Sequence, residues 1–193
     1  MNKNIEHYVL HKKNLLDEKY CDNCIKELSV CEWEKAQWYF PTSDSKKTLA
    51  GKYEPDVCTN SDSKNLEEIN DFIIKNLHSV ISEYMKSVKL PWFWGWTAYS
   101  ELKFMRYSQD QLMLEHWDNT HGLFDGERKG VPFLSIIGAL NDDYEGGELI
   151  MFEDKKIDIK KGDVLIFPST FLYPHKITPI IEGVRYSYQS WVW

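Results

Sequence analysis

The chain has 193 residues, 42% of them hydrophobic and 15% aromatic, enough to enclose one substantial core and too few for two full domains. With 23 Lys+Arg against 30 Asp+Glu and a net charge of −7, it repels phosphate backbones overall, which disfavours a nucleic-acid partner. No stretch approaches the roughly eighteen continuous apolar residues of a membrane helix, and the polar start MNKNIEHYVLHKKNLLDEK has no apolar signal-peptide centre; the expectation is a cytoplasmic protein with no membrane attachment.

The segment DEKYCDNCIKEL reads as a helix. The four cysteines, Cys21, Cys24, Cys31 and Cys58, all lie in the first third, unlike a secreted disulfide scaffold, so reduced thiols are expected. Neither a second Cys pair nor a His pair follows Cys21-x-x-Cys24 at finger spacing, which makes these residues structural. The polar stretches Thr42 to Lys47 and Thr59 to Lys64 are the loop candidates. Between Asn65 and Val88, Leu66, Ile69, Phe72, Ile73, Leu77, Val80, Ile81 and Tyr84 recur at helical spacing. Ser63 or Asn65 is the expected cap, and Pro91 lies just beyond the end. This long amphipathic helix should cover one face of a sheet.

From about residue 98 the pattern changes to short runs of β-branched and aromatic residues. Turn signals separate them at Asn119 to Gly130, Asn141 to Gly147, Asp154 to Lys156 and Lys161 to Asp163. The expected fold is α+β, mainly β: a double-stranded β-helix, or jelly roll, supported by N-terminal helices. One domain over 1–193 is expected, with 1–97 as helical and strand support and 98–193 as the jelly-roll core.

In LMLEHWDNTHG, His116 and Asp118 stand two apart on a strand end, so both side chains project from one face. His175, in FLYPHKITP, is the candidate third ligand. Two imidazoles and one carboxylate on one side of iron(II) leave the remaining positions open, the donor set of non-haem oxygenases. In GVRYSYQSW, Arg185, Ser187, Gln189 and Trp191 alternate onto one strand face, with Tyr186 and Tyr188 on the other. An inward guanidinium needs an anion: either a dicarboxylate co-substrate gripped by its planar fork or a protein acid such as Asp158 or Glu182.

Several features occur in a fixed order: Tyr107 nine residues before His116, HWDN, ALNDDYEGGELIMF, IKKGDVLIFP, Pro174-His175, Gly183-Val184-Arg185-Tyr186 and a Trp-rich end. Residues 107–193 thereby resemble the 2-oxoglutarate- and iron-dependent dioxygenases, within them the prolyl 4-hydroxylase-like branch. The resemblance makes 98–193 the catalytic core and His116, Asp118 and His175 the iron ligands. It gives Arg185 the distal carboxylate of 2-oxoglutarate and places Tyr107 in the co-substrate pocket. Trp191 and Asn119 become candidate substrate contacts, and Gly146-Gly147 a tight turn before a core strand. Many prolyl 4-hydroxylases carry Lys in place of Arg185. Ala139 stands where some relatives have a tyrosine on the distal carboxylate, so Ser187 is expected to take over that contact.

The resemblance implies iron(II), 2-oxoglutarate and dioxygen, with ascorbate as a reductant, and hydroxylation with succinate and carbon dioxide as co-products. A peptidyl proline leads among substrates, because Trp92, Trp94, Trp96, Trp117 and Trp191 could line an aromatic groove. The loop Asn119 to Gly130 is a candidate lid. Glu115 should point to the opposite strand face and be structural. A free amino acid, another protein side chain, a catalytically silent binding module and a cupin-like hydrolase or isomerase remain the alternatives.

Overall fold

In the computed structural model of the chain, residues 4–36, 38–39, 46–47, 53–59, 64–89, 96, 98–118 and 130–193 are described. A 3-10 turn at Ile5–Tyr8 leads into β1 (Leu10–Lys12), α1 (Glu18–Leu28), β2 (Glu34–Lys35), β3 (Trp38–Tyr39), β4 (Lys46–Lys47), β5 (Asp56–Thr59) and α2 (Lys64–Val88). There follow β6 (Lys103–Tyr107), β7 (Met113–His116), β8 (Leu134–Ala139), β9 (Glu145–Gly146) and β10 (Leu149–Met151). Last come β11 (Lys155–Ile157), β12 (Val164–Pro168), β13 (His175–Ile177), β14 (Ile180–Glu182) and β15 (Arg185–Val192).

Both helices form as their sequences direct. The carboxylate of Asp17 caps α1 by accepting from the Tyr20 amide at 2.7 Å. Cys21, Cys24 and Leu28, three and four apart, form its buried face. In α2 the buried stripe is Leu66, Ile69, Ile73, Ile74, Leu77, Val80, Ile81, Tyr84 and Val88. Phe72, expected in that stripe, is instead 45% exposed and stacks on Tyr20 of α1 at 4.3 Å. Asn65 does not cap α2, for its amide donates to Glu27 of α1; Ser63 and Pro91 lie outside the described residues. Among the described residues, no helix is long and apolar enough to cross a membrane.

The strands make a seven-stranded sheet in the order β1-β12-β8-β15-β6-β5-β2 and a four-stranded sheet in the order β11-β10-β13-β7, with two small two-stranded pairs, β14-β9 and β3-β4. Every pairing between these strands is antiparallel. The fold is therefore the expected mainly β jelly roll. Three strands of the N-terminal half, β1, β2 and β5, join the larger sheet, so that half contributes edges as well as covering helices.

Strand parity separates two cores. One face of the larger sheet (Phe104, Leu134, Ile136, Val164, Ile166, Tyr188, Val192) packs against α1 and α2. The other (Met105, Tyr107, Ile137, Ala139, Leu165, Phe167) meets Met113, Leu149, Met151 and Ile177 of the smaller sheet. Gly138 sits in the middle of β8 because the Tyr188 ring crosses it; a Cβ there would lie 1.9 Å from Tyr188 Cζ.

Candidate metal centre and anion pocket

Antiparallel pairing of β7 with β13 sets His116 directly opposite His175, with a register shift beyond the pair. Their rings lie 4.4 Å apart, centroid to centroid. Asp118, two residues beyond His116, turns its carboxylate between them: Oδ1 is 3.4 Å from His116 Nε2 and Oδ2 is 3.9 Å from His175 Nε2. One ligand atom from each residue falls within 4.8 Å of the others, and among the described residues no other group of His, Cys, Asp and Glu does so. Cys21 and Cys24 are fully buried free thiols apart from any such cluster.

The tautomers follow from the hydrogen bonds. His116 Nδ1 lies 2.8 Å from the Leu114 carbonyl and His175 Nδ1 lies 3.3 Å from that of Tyr173. A carbonyl only accepts, so each Nδ1 carries the proton and each Nε2 faces Asp118 as the candidate ligand atom. Burial pushes the His175 imidazole down to about 4, so it is neutral at pH 7. Burial also works against a charge on His116, but the Asp118 carboxylate outweighs it and raises the pKa. Asp118, although buried, is held well below the carboxylate range by the two histidines, with help from the Ser135 hydroxyl.

Ser135, whose hydroxyl supports that carboxylate, and Ser169 are buried with their hydroxyls 2.8 Å apart. Sequence reasoning missed them. The available signal was Ser135 alone in the apolar run LSIIGA, on the parity that faces between the sheets. Phe167 meets the His175 ring edge-on at 5.1 Å and completes an apolar wall.

At the other end of the inter-sheet space, Arg185 is 1% exposed. Its Nη1 donates to Ser187 Oγ at 3.0 Å and its Cζ lies 5.1 Å from the centroid of the Tyr107 ring, yet Nη2 has no partner. The protein acids weighed against a ligand do not reach it: Asp158 is exposed and pairs with Lys160 at 3.0 Å, and Glu182 is exposed. The Tyr107 hydroxyl is likewise buried and unpartnered. Burial pushes it up to about 12 against the pull of Arg185, so it stays a neutral donor. Gly147, at φ +61°, makes room for this arrangement, since a Cβ there would lie 2.4 Å from Ile180 Cδ1 and 3.2 Å from Arg185 Cδ. Ser187 pairs with Ala139 in register and reaches the guanidinium.

A neutral His, a second His and a carboxylate with converging ligand atoms suit a divalent iron, and a buried guanidinium with an orphaned N–H suits a carboxylate. The residues present therefore fit both groups.

Trp191 is half-buried on this face, with Lys103 Nζ 5.1 Å above its ring. Trp96 does not line the site as expected. It packs against the helix-side core with its ring edge-on to His78 of α2, because strand parity ceases to apply before β6 begins. Trp117, between two inward residues, is 46% exposed. Glu115 also faces out, 4.0 Å from Lys176. Trp92, Trp94 and Asn119 lie outside the described residues, as does the lid expected at Asn119 to Gly130, save Gly130 itself.

Residues 102–193 match the model of the 2OG-Fe(II) oxygenase superfamily. A PKHD-type hydroxylase from Prochlorococcus marinus (strain NATL1A) is 27% identical over 192 residues, 96% of this chain and 77% of that one. Among solved structures, a prolyl hydroxylase from Trichoplax adhaerens, in complex with a hypoxia inducible factor peptide, superposes with a TM-score of 0.68 at 19% identity, covering 97% of this chain and 84% of that one. A viral collagen prolyl hydroxylase from Paramecium Bursaria Chlorella virus-1, in complex with 2OG, gives 0.62 at 16% identity, covering 96% and 94%. These two show the shared jelly-roll fold.

Proposed function

We propose that the chain is a 2-oxoglutarate- and iron(II)-dependent oxygenase of the prolyl 4-hydroxylase-like type that hydroxylates a peptidyl prolyl residue, a reading supported by the superfamily match over 102–193 and the likeness to a PKHD-type hydroxylase. One observation carries the reading: a buried guanidinium with an unpartnered N–H opens onto the same inter-sheet space as the His-Asp-His group.

His116 and His175 would hold iron(II) through Nε2 and Asp118 through a carboxylate oxygen. The carbonyls of Leu114 and Tyr173 keep both imidazoles in the ligating tautomer. Arg185 would receive the distal carboxylate of 2-oxoglutarate, Ser187 would steer the guanidinium, and the Tyr107 hydroxyl would stand as a second donor. When bound, iron(II) and 2-oxoglutarate supply the redox chemistry, with decarboxylation to succinate and carbon dioxide coupled to transfer of one oxygen atom of dioxygen to a C–H bond. The apolar wall of Met105, Ile137, Leu149 and Phe167 would keep bulk water from the centre. Trp191, on the last strand, would border the substrate.

A peptide substrate is supported by the Trichoplax neighbour, which was solved with one. The test is succinate formation by iron-loaded protein with and without proline-containing peptides, alongside the mass of the peptide. Peptide-stimulated succinate with the gain of one oxygen on proline is expected. Succinate formed equally without peptide, with every peptide mass unchanged, overturns the prolyl assignment.

A further inference from the structure

Along the inter-sheet face of the larger sheet, β15 presents Arg185, Ser187, Gln189 and Trp191 in turn. Arg185 and Ser187 form the anion pocket, and Trp191 carries Lys103 over its ring. Gln189 stands between them. Its partners in register are Ile137 of β8, which belongs to the inter-sheet core, and Lys103 of β6.

The same register places Gln189 with respect to the two ends of the site. Along β8, Ala139 stands opposite Ser187, Ile137 opposite Gln189 and Ser135 opposite Trp191. The first of these rows belongs to the anion pocket. The third belongs to the metal centre, since the Ser135 hydroxyl supports the Asp118 carboxylate. Gln189 occupies the row between and is the diagonal neighbour of Ser135, roughly 7–8 Å away across the strands.

Burial changes at this row. Arg185 and Ser187 are buried, whereas Gln189 and Trp191 are only partly so, and the inter-sheet space therefore opens from Gln189 outward. Among the described residues no hydrogen bond holds the Gln189 carboxamide. A primary amide offers an acceptor oxygen and two N–H donors. A substrate that covers this one strips its water and must replace those hydrogen bonds, so a ligand without amide chemistry is disfavoured there. The peptide group supplies the matching donor and acceptor. In a peptidyl proline the ring nitrogen carries no N–H, and the donor closest to the ring is the N–H of the residue that follows.

We propose that Gln189 is a specificity-determining residue that reads the main chain of the substrate, its Oε1 accepting from the N–H of the residue after the modified proline. The proposal deepens the prolyl reading above and rests on it for the identity of the ring.

The experiment uses the full chain loaded with iron(II) and 2-oxoglutarate without oxygen. Calorimetry reads the binding of a blocked pentapeptide with proline at its centre, and of the same peptide in which only the N–H after proline is replaced by an ester oxygen. Wild type is compared with Gln189→Leu and Gln189→Met, which remove the amide, and with Gln189→Glu, which keeps an acceptor; thermal melting confirms that each is folded. The amide-to-ester preference of wild type should exceed that of the Leu and Met variants by about three- to tenfold, as for one neutral hydrogen bond. Gln189→Glu should retain the preference, and affinity for 2-oxoglutarate should be the same in Gln189→Leu as in wild type. Equal preferences in wild type and the Leu and Met variants, a preference lost in Gln189→Glu, no binding of either peptide, or a loss of 2-oxoglutarate affinity as large as that of peptide affinity overturns the proposal. Oxygen is then admitted and the amide peptide weighed. Proline that gains an oxygen while the preferences are equal overturns the Gln189 assignment and leaves the prolyl reading standing. A Gln189-dependent preference with the peptide mass unchanged refutes the prolyl reading alone.

Discussion

At the end of the inter-sheet space where β7 meets β13, the polar side chains answer one another. Asp118 lies between two imidazoles, and each imidazole donates its Nδ1–H to a backbone carbonyl. Where β15 meets β6, Arg185 Nη2 and the Tyr107 hydroxyl are just as deeply buried and neither makes a hydrogen bond, although the guanidinium stands against the Tyr107 ring. An orphaned buried donor costs about 1–3 kcal/mol, and an uncompensated buried charge costs more. The first end is thus organised before any ligand arrives, while the second gains its partner only with an anion.

Equivalent truncations at the two ends should therefore move stability in opposite directions. His175→Ala should abolish measurable iron(II) binding, at least about a hundredfold. It should also lower the stability of the metal-free protein by about 1–3 kcal/mol, because the buried imidazole is lost and the Tyr173 carbonyl loses its donor. Arg185→Met should weaken 2-oxoglutarate by about thirtyfold or more, as when one member of a buried charge pair is removed. Yet the ligand-free melting temperature should hold or rise. Calorimetry and thermal melting of both variants check the pair, and a large loss of ligand-free stability in Arg185→Met would erase the contrast.

Smaller changes sharpen it. Tyr107→Phe should weaken 2-oxoglutarate about three- to tenfold with little change in melting, since it deletes a hydroxyl that has no partner in the protein. Ser135→Ala should act at the other end, lowering iron(II) affinity several-fold while leaving 2-oxoglutarate affinity of the loaded protein nearly unchanged. The smallest effect concerns the helix-side core. Burial pushes the Cys21 thiol up to about 11 and raises that of Cys24 to about 12, so neither should react with a thiol reagent in the native protein at pH 8. Both pKa values exceed the unfolded value of 9.0. Their contribution to stability is full below pH 9 and is lost as pH rises toward 11 and beyond.

The parts legible in the sequence rest on short-range periodicity or on an ordered motif. The apolar stripe of α2 repeats often enough to fix a helix, and His116-x-Asp118 needs only strand parity to put two donors on one face. The placement of Ser135 over Ser169 depends on β8 pairing with β12, and that of Tyr188 over Gly138 on β8 pairing with β15. These are non-local registers that local patterns leave open. Phe72 left the α2 stripe because Tyr20 of a different helix offered its ring. Trp96 was misplaced for a similar reason: composition marks it as aromatic and buried, but only packing against His78 decides which core it enters. The N-terminal strands were hard to anticipate because β1, β2 and β5 have 3, 2 and 4 residues, too few for alternation to speak.

The central claim, that one inter-sheet space holds an iron centre at one end and a carboxylate receptor at the other, is tested most directly by titrating 2-oxoglutarate into iron(II)-loaded protein without oxygen. The readout is the visible charge-transfer absorption of a chelated 2-oxo acid. Wild type should develop the band at low 2-oxoglutarate, Arg185→Met should need far more to reach the same intensity, and His175→Ala should show none. An iron-loaded wild type that gives no band, or an Arg185→Met variant that titrates like wild type, would contradict it.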